Sequence, residues 1–580
     1  MPTRRDVLRL GLISGLGGGA AILNSKGSFG PVFAGDELPA SPKLTPFLMP
    51  LPVPPTAQPV AYPFPLFDRP TSPEFPDVCT NFIGAGTKYY RFVEEQRAVQ
   101  IHPHLKPTWM WGYCDETYAG TWPTAFGPTL RARLAGAKIG EGVVVRMRND
   151  LPTPAYSKVR FGVNQTTTHF HGGHQPAISD GFPTDLANPA APRILKRRGD
   201  QFDYVLPLLD PGFSTGHADD CERGSMLWYH DHPLHFTGQN AYAGMAGLFI
   251  VSDDLDAGNE NWSDGKNLQL PSGYFDIPLV VQDKRVDVNG QLYYNPLDHD
   301  GFLGDTFLVN GAVRPYLTVQ RRKYRFRFLN ASNARYYRLF LNYENGTTVP
   351  FDQIATEGGL LSRPLRGKTN FQMSPAERVE IVVDFSAFPD GTTLYIENRQ
   401  AQNEGRKPEA GALARGLGLL QIRVKGDQPA PDPSKVPDVL RPFEAITAAQ
   451  IRTARRREFK FGRLDGMWAI NDKFFDEEHP IAIATDNRPE IWTFKSGGGW
   501  AHPVHIHSEY MRVLKRDGKL PPLHERDGIA RKDTVSIGGP DFKDVEIYVN
   551  FRDYHGAFVF HCHNIEHEDM DMMARLDITK

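Results

Sequence analysis

Four short stretches of this chain concentrate residues that could bind and use a metal. They read THFHGGH (168–174), WYHDHP (228–233), HPVHIH (502–507) and HCHNIEH (561–567), and each contains His-x-His. Of the 19 histidines, only His299 and His479 fall between residues 236 and 501. One His-x-His is a weak signal, because any exposed strand with alternating polar residues can carry it. Four of them around a nearly histidine-free middle are not what scattered surface histidines produce. Neutral imidazole suits zinc, copper, iron or nickel, and a thiolate shared with histidines narrows that choice. Structural zinc would more usually show paired C-x-x-C ligands, which are absent. Two histidines, one cysteine and a weak axial methionine make a blue-copper arrangement. His567 and Met572 follow Cys562 by five and ten residues, and His502 is the natural remaining imidazole. Met570 and Met573 compete with Met572 for the axial position or are packing residues.

Such ligands need strands to aim them. On a strand, residues i and i+2 share a face and i+1 points the other way. His561 and His563 then point one way and Cys562 the other, so a single strand can serve two metal centres. Strand-like segments recur on both sides of the motifs. VVVRMRND (143–150), SMLWYH (225–230) and GLFIVSDD (247–254) form a first series. IPLVVQDKRVDVNGQLYY (277–294), YRFRFLNAS (324–332) and ERVEIVVDF (377–385) form a second, with Asn289-Gly290 as a hairpin signal. EFKFGRL (458–464), EIWTFKS (490–496) and VEIYVNF (545–551) form a third. These predict an all-β chain of three consecutive domains at 76–255, 256–425 and 443–580, with a charged, Pro-rich linker at 426–442. A Pro-rich extended arm at 35–75 precedes them.

The chain has 580 residues, too many for one hydrophobic core. Lys+Arg (65) nearly balance Asp+Glu (68), so no basic field points to nucleic acid. Arg4-Arg5 followed by an apolar, Gly-diluted run from Leu10 to Leu23 resembles a twin-arginine export signal, ending near Ala34. The run is shorter than the ~20 residues a membrane-spanning helix needs. A periplasmic or secreted protein with no span in its mature form is the expectation. With Cys562 committed to a metal, Cys79, Cys114 and Cys221 allow at most one internal disulfide. Nothing in the sequence speaks to oligomeric state.

In the order of its four motifs, in its ten candidate histidines, one cysteine and one methionine, the chain resembles the multicopper oxidases. GGWAHPVHIH (498–507), RKDTV (531–535) and HEDMDMM (567–573) are most similar to the branch of spore-coat laccase, phenoxazinone synthase and bilirubin oxidase. The resemblance implies three cupredoxin-like Greek-key β-barrel or sandwich domains, the middle one a ligand-free spacer and rim. It implies four copper ions: one type 1, one type 2 and two type 3. Type 1 copper would take His502, Cys562, His567 and Met572, and type 2 would take His169 and His505. One type 3 copper would take His171, His230 and His563, and the other His232, His507 and His561. His174, His235 and His555 match no ligand position. A small-molecule donor would give single electrons at type 1 copper through the edge of His567. Cys562 would pass them by the backbone to a trinuclear cluster that reduces O2 to water.

Asp180, nine residues after His171, and Glu568, next to His567, match acidic positions near that cluster and are candidates for handling protons. The implied activity is laccase-like, on phenols, aminophenols or bilirubin-like donors. A periplasmic metal-ion oxidase acting on Mn(II) or Cu(I) is the alternative, and there is no Met-rich insert to support Cu(I). A pure electron-transfer cupredoxin needs no trinuclear ligands, and a relative that has lost copper would not keep a full ligand set. One departure is LDPGFSTGHADDCERGSM (209–226), an acidic stretch that reads as a flexible surface insertion or, alternatively, a substrate-side or auxiliary metal feature.

Overall fold

The computed structural model describes residues 40–61 and 82–580, apart from 121, 135, 137–138, 186–193, 224, 428–430 and 541–542. The expected export signal and Cys79 lie outside the described residues. Six sheets pair into three double-sheet units in chain order. In the first unit, two four-stranded sheets enclose a core that includes Phe92, Tyr113, Val145, Phe170, Tyr229 and Phe249. An eight-stranded and a six-stranded sheet form the second, and two five-stranded sheets the third. Alternating apolar residues on the inner faces fill these cores, as expected for packed antiparallel sheets.

The three units repeat one topological device. Each opening strand lies parallel to a later strand of its own sheet: Lys88–Val99 with Val143–Asn149, Asp276–Val286 with Lys323–Asn330, and Arg455–Leu464 with Glu490–Ser496. The facing sheets do the same, pairing Leu130–Arg133 with Ala246–Ser252, Tyr316–Val319 with Leu417–Val424, and Ala482–Thr485 with Met573–Thr579. A parallel pair cannot be joined by a tight hairpin, so the chain crosses to the other sheet in between. That crossing makes each unit a cupredoxin-like sandwich. The hairpin signal at Asn289-Gly290 is met by Asp276–Val286 pairing antiparallel with Leu292–Tyr293, Gly290 taking φ 79°.

Residues 40–61 run extended across the first two units. Leu51 N–H donates to the Tyr316 carbonyl at 2.7 Å, Ala57 to Thr129 at 2.9 Å and Val60 to Tyr89 at 2.7 Å. Farther along, Asp432 accepts from Arg322 at 2.8 Å and Leu440 is buried.

Four strands carry the histidine motifs: β1 (Thr168–His171) and β2 (Met226–Asp231) in the first unit, β3 (His502–Ile506) and β4 (Gly556–Cys562) in the third. β1 and β2 pair antiparallel with His169 opposite His230, and β3 and β4 with His505 opposite His561. Register thus puts imidazoles side by side on one face of each pair, and the two faces meet.

Candidate metal centre

Where the first and third units meet, their imidazoles stack on one another. His169 lies on His507 and His171 on His505, each with ring centroids 3.7 Å apart. All ten candidate histidines and Cys562 are at most 1 % exposed. The Nε2 atoms of His232 and His507 lie 3.3 and 3.2 Å from Nε2 of His561, and those of His169 and His505 are 3.4 Å apart. Their other ring nitrogens are mostly occupied. Nδ1 of His169 and His505 donate to the carbonyls of Asp180 and Asp533 at 2.6 and 2.8 Å, His561 Nδ1 to Cys562 at 3.1 Å, and His507 Nδ1 to the Asp180 carboxylate at 2.6 Å. An imidazole that donates through Nδ1 presents a lone pair at Nε2.

His171 is turned the other way. Its Nε2 faces Asp533 Oδ1 at 3.3 Å, and its Nδ1 has no hydrogen-bond partner. Nε2 of His230 and both ring nitrogens of His563 are likewise buried without a partner. The ligand atoms of His171, His230 and His563 lie within 4.8 Å of one another, as do those of His232, His507 and His561, and of His169, His171 and His505. Protonation does not resolve these facing lone pairs. Burial, reinforced by neighbouring imidazoles, holds His171, His230, His232, His505, His507 and His563 well below the usual imidazole range, and burial brings His561 down to about 3. Neutral, converging lone pairs in a closed site fit metal cations.

On the opposite face of β4, Cys562 Sγ lies 3.5 and 3.6 Å from Nδ1 of His502 and His567, which are themselves 3.1 Å apart. The Asn564 N–H donates to the same sulfur at 3.4 Å. Burial pushes the Cys562 thiol well up and His502 down to about 3, so a thiolate here calls for a bound cation. The Met572 backbone is pinned to both neighbours, accepting from Cys562 N–H and donating to the His567 carbonyl, each at 3.0 Å. Met572 and Met570 share the buried cluster around Cys562, whereas Met573 packs in a separate one with Phe182 and Val559. Strand alternation thus takes Met573 off this face.

His567 is fully buried. Its Nε2 is covered by the Asp300 carbonyl at 3.2 Å and the Asn564 side chain at 3.0 Å, and its ring lies against Trp468 at 3.9 Å. Asp180 holds two imidazoles, as above, and is oriented by Gln175 Nε2 at 2.8 Å. Glu568 accepts from Thr237 at 3.0 Å and lies 3.9 Å from His232 Nδ1. Its other oxygen has no partner, and burial with Asp569 nearby holds its carboxyl well above the usual range.

The middle unit carries none of the candidate ligands, yet its side chains brace the site. Arg378 grips Asp533 through two bonds of 2.8 and 2.6 Å, and that carboxylate is the one facing His171. Gly172 makes room for them: a Cβ there would sit 2.5 Å from Arg378 Nη2 and 2.7 Å from Asp533 Oδ2. The short helix Ile565–Asp569, which carries His567, is held by Asn333 and Tyr294 through Glu566 at 2.7 and 2.9 Å. Sequence reasoning passed over Arg378, Asn333 and Trp468, and placed Asp533 only inside the RKDTV motif. Charge alone could not single out Arg378, because its partner is 155 residues away.

Residues near the motifs that match no ligand position have other partners. His174 meets Asp553 at 2.9 Å, His235 the Asp569 carbonyl at 2.9 Å, and His555 Asp486 at 3.2 Å. Described residues of the 209–226 stretch are tied to the third unit. Asp219 and Glu222 pair with Arg531 and Arg552 at 3.0 and 2.7 Å, and Gly212 N–H donates to Asp553 at 2.5 Å, clamping the first unit to the third. Cys114 and Cys221 form no disulfide with a described residue.

The family model for multicopper oxidases matches residues 441–580. The chain is 31 % identical to a laccase of Bacillus subtilis over 540 residues, covering 85 % of this chain and 94 % of that one. It is 31 % identical to a bilirubin oxidase of Albifimbria verrucaria over 564 residues, covering 93 % of this chain and 82 % of that one. Among solved structures it is similar to a variant of the multicopper oxidase McoA from Aquifex aeolicus, with 25 % identity and a TM-score of 0.69, covering 92 % of this chain and all of that one.

Proposed function

Because this chain belongs to the multicopper oxidase family, an oxidoreductase family using O2, we propose that it is a laccase-like enzyme taking single electrons from phenols, aminophenols or bilirubin-like donors. The observation that carries this reading is the pair of buried sites back to back on β4, one around Cys562 and one around His561 and His563. Four coppers bound there would accept one electron at a time and deliver four to O2, giving two waters. His502, Cys562, His567 and Met572 would hold type 1 copper, and His169 and His505 type 2. His171, His230 and His563 would hold one type 3 copper, and His232, His507 and His561 the other.

The chain's own groups connect and serve these sites. Cys562 is bonded through the backbone to both His561 and His563, and its carbonyl accepts from His561 Nδ1 at 3.1 Å. That gives a covalent path with a hydrogen-bonded short cut beside it. Burial, with Asp569 nearby, holds the Glu568 carboxyl well above the usual carboxylate range, and the group sits where a proton can pass toward the His232 side. Asp180 fixes the orientation of His169 and His507. Mn(II) or Cu(I) as donor is the competing reading. The cover over His567 favours an organic donor, since buried Trp468 lies beneath partly exposed Trp500 and exposed Arg463 and Arg406, with Asp300 already paired to Arg463. The N-terminal sequence supports export by a twin-arginine route to the periplasm or beyond.

Copper-loaded protein is expected to be blue and to hold close to four coppers per chain. Cys562→Ser should abolish the blue band, and an unchanged band refutes the type 1 site. O2 uptake driven by aminophenols but not by Mn(II) or Cu(I) separates the two donor classes.

A further inference from the structure

With His567 sealed, a donor must deliver its electron to something outside it. Trp468 is the ring closest to His567, at 3.9 Å and 35°. It is itself buried, held by Nε1–H donating to the His299 carbonyl at 2.6 Å. Trp500, partly exposed, lies edge-on to Trp468 at 4.9 Å and to His567 at 5.9 Å. Its placement depends on Gly498 and Gly499, at φ 84° and 76°, a turn that side chains with a Cβ rarely adopt. Two exposed guanidinium groups flank the rings. Arg463 lies 4.0 Å from the Trp468 ring and 5.0 Å from Trp500, and Arg406 lies 5.5 Å from Trp500. Arg463 is paired with Asp300, while Arg406 donates to the carbonyls of Gly498 and Gly499 at 3.2 and 3.4 Å.

We propose that this aromatic and cationic surface is the donor-docking site, selecting planar aromatic donors that carry a carboxylate or sulfonate, and that Trp468 conducts their electrons to His567. The inference rests on the oxidase reading above. A planar ring can stack on Trp500 while its anionic group meets Arg406 and Arg463, whose flat guanidinium groups suit carboxylates. Each donor loses one electron, and a phenol also releases its O–H proton to water. Four such events match the reduction of one O2 to two waters. Since electron transfer slows steeply with distance, ring-to-ring contact through Trp468 compensates for the burial of His567.

The test uses the copper-loaded full chain with syringate and 2,6-dimethoxyphenol, which share a ring and differ by the carboxylate. Arg463→Gln and Arg406→Gln should each raise KM for syringate about threefold to fivefold, the range of an exposed charge contact, and leave that for 2,6-dimethoxyphenol within about twofold. Arg463→Glu should reverse the preference, and added salt should erase it in the parent. Trp468→Phe should lower kcat for both donors without changing the ratio of their KM values, with the blue band retained. KM values that move in parallel for the two donors overturn the docking site, and an unchanged kcat in Trp468→Phe overturns the conduit. O2 uptake that continues while charge has no influence sinks only this inference. No O2 uptake with either donor sinks the oxidase reading as well.

Discussion

Replacing Arg378 with Met tests whether the ligand-free middle unit sets the metal site. Arg378 and Asp533 are 0 % and 1 % exposed, the bidentate bonds are 2.8 and 2.6 Å, and among the described residues no other Lys or Arg pairs with this carboxylate. Removing one partner of a buried ion pair costs about 3–5 kcal/mol, since the other charge stays buried. For a cooperative unit of ~150–250 residues, each kcal/mol lowers Tm by about 2–4 °C, so a fall of roughly 6–20 °C is expected. The chemical effect is separate. Asp533, freed from Arg378, no longer fixes Nε2 of His171, and losing such a partner typically weakens metal binding about 10- to 100-fold. His505 should stay in place, because it donates to the Asp533 backbone carbonyl and not to the carboxylate. Thermal melting, copper content per chain and the electron paramagnetic resonance spectrum of the variant read these effects, with the blue band as internal control. Adding Asp533→Asn removes the stranded charge and should restore most of the stability. A single variant that melts within about 2 °C of the parent, well under the shift set by the ion pair, and keeps its full copper and unchanged spectrum would refute the positioning role.

Other outcomes follow from the same geometry. His505→Ala should keep the blue band, since His505 faces away from Cys562, and stop O2 consumption; uptake at the parental rate rules out its assignment. Glu568→Gln keeps the shape and the Thr237 contact but cannot release a proton, so O2 reduction should slow about 100-fold or more with the blue band intact. Metal-free protein should lose stability as pH falls below 6.5. His502 and His561, at about 3, and seven further candidate ligand histidines below their usual range stay neutral when folded but take up protons when unfolded. The unfolded state then binds more protons, and each ring adds up to about 1.4 kcal/mol of loss per pH unit. A metal-free Tm that is flat from about pH 7 to 5, within the span where ordinary imidazole titrates, contradicts this.

Strand periodicity and ligand spacing are local properties, so the sequence determined a good deal by itself. His-x-His on a strand fixes which imidazoles share a face, and the position of Cys562 between His561 and His563 fixes a junction between two sites before any fold is known. The alternation that built the β-rich reading is the same one that puts Cys562 and Met573 into different buried clusters. What only the tertiary structure decided are relations between residues far apart in the chain, which pairing and packing create. The stacking of His169 on His507, the grip of Arg378 on Asp533, and the Trp468 ring over His567 each join segments that no spacing rule connects. Burial belongs to the same class: whether His567 meets solvent depends on what the middle unit and the Gly498–Gly499 turn lay over it, and a sequence motif carries no record of that cover.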